Sequence, residues 1–158
     1  MTAPDEAATL EHQKQALMKF AAEFPFFKLL GMRIEDVGPG WSRLSVEWRQ
    51  DLCQPAGIMH GGVIASLVDT SIAHCILLTP EHIAARPSGG RLVSVDLRIK
   101  YLRPVSAGRI FCDAKVTRMG RQIIHTAATV VDEAGKEVAS GDSIYMMVSI
   151  DRLKKAGG

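Results

Sequence analysis

The stretch from Gln54 to Leu78 leaves this chain few ways to fold. It opens as a Gly-rich loop, Gln-Pro-Ala-Gly-Ile-Met-His-Gly-Gly, and continues from about Gly61 as a helix that is apolar on nearly every side. Val63, Ile64, Leu67, Val68, Ile72, Cys75, Ile76, Leu77 and Leu78 cannot share one stripe, so the helix is predicted to be buried rather than laid on a surface. Asp69 stands near its middle, where an ionised carboxylate is costly unless it is paired or put to use. The residues at i−4, i−3 and i+4 from it are Ala65, Ser66 and Ala73. All three are small, which sets the carboxylate in a notch with room for a ligand.

Asp69 and His74 interrupt the apolar run, which is also too short for a membrane span. At 158 residues the chain is one domain able to bury about two-thirds of its unfolded surface. With 47% apolar and 23% charged residues, the composition argues against long disorder. A net charge of +2, with no basic run interleaved with aromatics, argues against nucleic acid as a partner. Cys53, Cys75 and Cys112 are odd in number and fall at no metal-ligand spacing. No basic segment followed by an apolar core opens the chain. The expectation is therefore a cytoplasmic protein without bound metal, and with no membrane partner.

In chain order, Pro4 to Phe24 reads as an amphipathic helix, with Leu10, Leu17, Ala21 and Phe24 on one stripe. Pro25 ends it, and Phe26 to Gly31 reads as one further turn with a glycine cap. Met32–Val37 and Trp41–Trp48 are predicted strands joined at Gly38-Pro39-Gly40. Arg49 to Met59 is a loop into the central helix. Thr79 to Gly90, with two prolines and two adjacent glycines, is expected to be a loop as well. The strand after it places Val93, Val95, Leu97, Ile99 and Tyr101 on one face and Ser94, Asp96, Arg98 and Lys100 on the other. Ile110 to Val116, Gln122 to Val131 and Glu137 to Ser149 continue as strands through short turns, which predicts an antiparallel meander. A curved sheet wrapped round the helix gives it most of the cover it needs, and a partner subunit could supply the rest.

From about Pro25 to Val148 the sequence resembles the hotdog-fold acyl-CoA thioesterases, in particular the phenylacetate-degradation (PaaI-type) branch. The residues that carry the resemblance are Phe26-Phe27-Lys28-Leu29-Leu30-Gly31-Met32, then Gly57-Ile58-Met59-His60-Gly61-Gly62-Val63 with Asp69 eight residues past Gly61. Ser94-Val95-Asp96-Leu97, Tyr101-Leu102-Arg103-Pro104 and the Gly135–Ala139 stretch add to it. It implies an α+β hotdog domain over 25–150, an antiparallel sheet around one long helix, between an N-terminal helical arm (1–24) and a tail (151–158).

The resemblance also implies roles. Asp69 matches the catalytic carboxylate, which attacks the thioester or activates water, and the N–H of Gly61 matches the oxyanion donor. Gln54 stands where the family commonly has Asn, a departure shared with some aryl-CoA thioesterases of the fold. Ser94 matches a serine that holds the water; strict alternation points it away from the helix, so a bulge or a subunit contact is required. His60, Gly62, Ala65, Ser66 and Ala73 are the candidate substrate contacts. Arg118 and Arg121, flanking the Met119-Gly120 turn, are candidates for the phosphates of coenzyme A. The expected substrate is an acyl- or aroyl-CoA, with no cofactor beyond the coenzyme A of the substrate.

Each reading has a plainer counterpart. Asp69 could be a structural acid capped by Ser66 or Thr70, His60 a brace of its loop, Gln54 an ordinary loop residue, and the arginines a solvated hairpin tip. A non-catalytic acyl-CoA-binding protein of the same fold is the alternative function. Helix geometry separates Gly61 from Asp69 by about 12 Å along the axis. A thioester carbonyl needs both groups within about 3–3.5 Å. One helix cannot supply both, but two antiparallel helices across a two-fold axis can. A homodimer at least is expected, with a homotetramer, as a dimer of dimers, the anticipated assembly.

Overall fold

The computed structural model describes residues 3–88 and 90–149. Two N-terminal helices, α1 (Ala3–Glu23) and α2 (Pro25–Leu30), lead into strands β1 (Arg33–Gly38) and β2 (Trp41–Glu47). A 3-10 turn at Gln50–Leu52 precedes the long helix α3 (Gly61–Leu77), followed by α4 (Pro80–Ala85). Four strands complete the order: β3 (Gly90–Tyr101), β4 (Arg109–Met119), β5 (Ile123–Asp132) and β6 (Glu137–Ser149). The tail expected over 151–158 lies outside the described residues.

The six strands form one antiparallel sheet in the order β1-β2-β4-β5-β6-β3. This corrects the expected meander at one point. β3 does not pair with β4, its successor in sequence; it pairs with β6, along the far edge of the sheet. The connection Leu102–Gly108 contains Pro104 and Val105, whose carbonyl accepts from the Met59 N–H at 2.8 Å. This segment is tied to the loop before α3 and does not turn tightly back into β4.

Helix α3 lies in the hollow of the sheet. Val63, Ile64, Leu67, Val68, Ile72, Cys75 and Ile76 are buried against Leu44, Val46, Ile110, Cys112, Ile124, Val130 and Ala139 of the sheet's inner face. Each fully buried branched side chain contributes about 1.5–3 kcal/mol. The buried hydroxyls are satisfied: Ser42 donates to the Ser71 carbonyl and Ser71 to that of Leu67, both at 2.7 Å. The helix is not covered all round, however. Ala65, Ser66, Asp69, Thr70 and Ala73 are only half-buried and run along one side of it. That side is the one the chain leaves open.

Two local signals account for the helices flanking this core. Gly31 closes α2 in the left-handed conformation (φ 67°), its N–H reaching the carbonyls of Phe27 and Lys28. The segment read as a loop at Thr79–Gly90 instead forms α4 and a 3-10 turn over Arg86–Ser88. Thr79 caps α4 by accepting from the His82 N–H, and Pro80 opens the first turn. These prolines and hydroxyls start a helix; they do not prevent one.

Helix and sheet are in close contact at Gly141 of β6. A Cβ there would stand 2.9 Å from both the Arg98 carbonyl oxygen and Val68 Cγ1. Gly141→Leu is expected to lower the unfolding free energy by about 1–3 kcal/mol through overpacking, measured by urea denaturation against wild type. An unchanged midpoint would mean that α3 does not sit this tightly on the sheet.

Candidate active site

The loop before α3 is held by its own backbone. The Gln54 N–H donates to the Ile58 carbonyl at 2.9 Å, and the His60 N–H to that of Leu52 at 2.8 Å. His60 is the N-cap residue: its Nδ1 accepts from the Gly62 N–H at 2.8 Å, which leaves the ring proton of the neutral form on Nε2. Of the two glycine amides, that of Gly62 is therefore taken. The Gly61 N–H has no acceptor among the described residues and stands at the positive end of the helix. Tyr101 lies over Gly61, its hydroxyl donating to the Gly61 carbonyl at 3.0 Å. A Cβ on residue 61 would come within 3.3 Å of that ring, so glycine keeps the approach open. Gln54, His60, Gly61 and Tyr101 share a cleft of about 460 Å³.

Asp69 opens elsewhere, into a cavity of about 890 Å³ together with Ala73, Ser94 and Tyr145. The hydroxyl that holds its carboxylate is not that of Ser66 or Thr70. Tyr145 on β6 donates to Asp69 Oδ1 at 2.7 Å, with the Asp69 carbonyl 3.2 Å from the same oxygen. Burial of the Tyr145 side chain raises its phenol well above the usual tyrosine value, and the hydrogen bond to Asp69 adds to the rise. Sequence reasoning missed Tyr145. The available signal was that a tyrosine on a core-facing strand position needs a partner for its hydroxyl.

Ser94 reaches this cavity because β3 carries a bulge. Ser94 pairs with Tyr145 and Asp96 with Ile144, leaving Val95 as the extra residue, 55% exposed. The inserted residue reverses the phase of alternation along the strand. Leu92 packs on the core before the bulge and Ile99 after it, so Ser94 shares the face of Ile99 despite the odd spacing. The uniform alternation expected for this strand is thereby corrected.

The other candidates are distributed unevenly. Ala73 lines the Asp69 cavity, whereas Ala65 and Ser66 do not. Arg118 and Arg121 line a separate cleft of about 490 Å³ beside His125, on the β4–β5 hairpin. His74 is structural: its ring meets the Thr70 carbonyl at 2.7 Å and the edge of Phe27, and burial depresses its pKa. Burial pushes the thiols of Cys75 and Cys112 up to about 12, which leaves them protonated and unreactive at neutral pH.

Within one chain, then, the predicted residues fall into two groups on opposite parts of α3: Gln54, His60 and Gly61 at its start, Asp69 and Ser94 eight residues on. A model of the thioesterase superfamily matches residues 56–139, which include all of these residues but Gln54. The chain belongs to the thioesterase superfamily, and its fold is the hotdog. Among relatives, the medium/long-chain acyl-CoA thioesterase YigI of Escherichia coli is 28% identical over 143 residues, covering 81% of this chain and 88% of its own length. A variant of the phenylacetic acid degradation protein PaaI of Thermus thermophilus superposes with a TM-score of 0.67 at 26% identity, covering 79% of this chain and all of that one. A thioesterase from Haemophilus influenzae shares the fold with a TM-score of 0.70 at 23% identity over 89% of this chain and 91% of its own. No helix among the described residues of this thioesterase-superfamily chain is long and apolar enough to cross a membrane.

The Tyr145–Asp69 contact has a measurable signature. A phenol whose folded pKa is raised contributes stability that is complete below its unfolded value of about 10 and is lost as pH rises beyond it. Tyr145→Phe is expected to cost about 1–3 kcal/mol at neutral pH. The gap between wild type and variant should narrow at about pH 11, where the wild type alone is losing the phenol's contribution. Urea unfolding at the two pH values checks both; a gap that widens at high pH would contradict the assignment.

Proposed function

We propose that this chain hydrolyses acyl- or aroyl-CoA thioesters, with Asp69 as nucleophile or general base and the Gly61 N–H as oxyanion donor. The observation that carries the reading is a half-buried carboxylate, fixed by Tyr145, opening into a roomy cavity beside the Ser94 hydroxyl. A structural acid would be expected to have both oxygens paired. Among the described residues, only Oδ1 of Asp69 has a side-chain partner.

Hydrolysis places negative charge on the thioester oxygen, and the unoccupied N–H of Gly61, backed by the helix dipole, is suited to receive it. The Gln54 amide lies in the same cleft and offers a second donor. Asp69 either attacks the carbonyl carbon, giving an anhydride that water then cleaves, or takes a proton from the water that attacks. Either way the carbon–sulfur bond breaks and coenzyme A leaves as the thiol. Ser94 holds the water, and Tyr145 fixes the carboxylate. Arg118 and Arg121 form the landing site for the coenzyme A phosphates. These steps require no metal or redox cofactor.

The two halves belong to one site only if a second subunit brings its Gly61 to this Asp69. Their separation along α3, about 12 Å, and the half-open side of that helix both favour a dimer with two composite sites. Two experiments test the reading. Asp69→Asn is expected to fold normally and to lose at least about a hundredfold in turnover of an acyl-CoA panel followed by thiol release. Near-native activity in the folded variant would remove Asp69 from the mechanism.

The composite site is tested by complementation. Gly61→Pro deletes the N–H at the first helical position, and the extended His60 before it (ψ 136°) accepts a following proline. Each variant alone should be inactive. Refolding Gly61→Pro with Asp69→Asn should restore up to about one quarter of wild-type activity, since half of the dimers are mixed and each mixed dimer holds one intact site. Mixed dimers detected by mass but inactive would place both groups in the same subunit.

A further inference from the structure

The cavity at Asp69 extends well beyond the carboxylate. Asp69, Ala73 and Leu77 lie at four-residue spacing on one face of α3, so the cavity follows the helix for about 12 Å. Its facing wall is supplied by helix α1, through Leu17 and Phe20, three residues apart and hence on one side of that helix. Leu92 and Val93 of β3 close a further side. Polar groups that could act on a thioester, Asp69, Ser94 and Tyr145, are followed along α3 by Ala73 and Leu77. Beyond Leu77 the lining turns polar, with His82, Arg86 and Arg91, which ends the apolar passage; Arg86 Nη2 donates to the Leu77 carbonyl at 2.8 Å, and the His82 ring meets the same oxygen at 3.0 Å.

We infer that this cavity is an acyl-chain groove whose far wall is the N-terminal helix α1, and that its occupant is a straight aliphatic chain of medium length. The inference rests on the thioesterase reading above and adds to it the class of acyl group. A carbonyl at Asp69 sends its chain past Ala73 toward Leu77. The passage from Asp69 to Leu77, about 12 Å long, is longer than an acetyl or butyryl group or a single aromatic ring can span. The cavity's 890 Å³ lies toward the upper end of the roughly 300–1,000 Å³ found for small-molecule sites.

Phe20 supplies a second, independent observation. It is 65% exposed, touching only the ring of Phe24 among the described aromatic residues, while helix α1 is anchored to the body by the buried Ala21 and the Lys14–Asp36 ion pair. A large apolar side chain held at a cavity mouth by a helix fixed elsewhere gains contact when an alkyl chain covers it. This gives the N-terminal arm a purpose that its sequence did not show: it sets the length of chain the site accepts.

The test compares kcat/KM for acetyl-, butyryl-, octanoyl-, decanoyl- and phenylacetyl-CoA in wild type, Phe20→Glu and Leu77→Trp, each shown to be folded by its thermal transition. Wild type should favour decanoyl-CoA over butyryl- and phenylacetyl-CoA. Phe20→Glu, at an exposed position of α1, should cut the decanoyl-to-butyryl ratio by about tenfold or more, the effect of withdrawing about two methylenes from apolar contact. Leu77→Trp, which fills the groove from α3, should move the optimum to a shorter chain. Butyryl- or phenylacetyl-CoA hydrolysed as well as decanoyl-CoA by wild type, or an unaltered ratio in both folded variants, would overturn the inference. If wild type hydrolyses none of the esters, the thioesterase reading fails by itself. Calorimetric binding of decanoyl- and butyryl-CoA to the same three proteins then decides the groove: the same ordering upholds it, and equal or absent binding overturns it.

Discussion

A helix with apolar residues on nearly every side has no face to give to water, and the rest of this structure answers that constraint. The sheet curves because α3 must be covered across most of its circumference. β3 swings to the edge beside β6 because a strand is needed past the far flank of the helix. Gly141 is bare because helix and sheet meet there at van der Waals distance. Where cover stops, along Ala65, Ser66, Asp69, Thr70 and Ala73, the side chains are small or polar, so the open side costs little apolar exposure. The candidate carboxylate occupies the strip that the core does not need.

That strip poses an electrostatic problem which Tyr145 resolves. A carboxylate beside an apolar core requires a donor, yet a donor on each oxygen would leave nothing free to react. One phenolic hydroxyl on Oδ1 holds the group in place and leaves the other oxygen facing the cavity. The donor comes from β6, on the strand that pairs with Ser94 across the bulge, so one stretch of sheet positions both the carboxylate's support and the neighbouring hydroxyl.

Much of the architecture was legible because its determinants are local. The Gly31 cap, the Gly38–Gly40 hairpin, the start of α3 at Gly61 and the alternation of Ile110, Cys112 and Ala114 are each specified by a few adjacent residues. What escaped was non-local or depended on competing local signals. The pairing of β3 with β6 is a choice among partners distant in sequence. The helix after Thr79 was hidden by prolines that equally suit a loop. Of the candidate site, the sequence offered Gly61, Asp69, His60 and Gln54, and the structure sets Asp69 in one cleft and the other three in another, with His60 as a cap. Tyr145 and the cavity wall from Leu17 and Phe20 depend on residues that meet only once the sheet has closed. Arg118 and Arg121 were read as a pair and do share a cleft, but apart from both halves of the site.

The bulge at Val95 makes chain length a determinant in its own right. Before it, even-numbered residues of β3 face the helix; after it, odd-numbered ones do. A deletion of one codon between Val93 and Leu97 would merge the two frames. Ser94 and Ile99 would then stand four residues apart and share the helix-facing side by simple alternation, as they now do through the bulge. A substitution that flattens the bulge without removing a residue has the opposite result: it turns Ser94 outward, or Ile99 and Tyr101. A related sequence one residue shorter at this position therefore keeps the same faces, whereas one of equal length keeps them only if it also keeps the bulge.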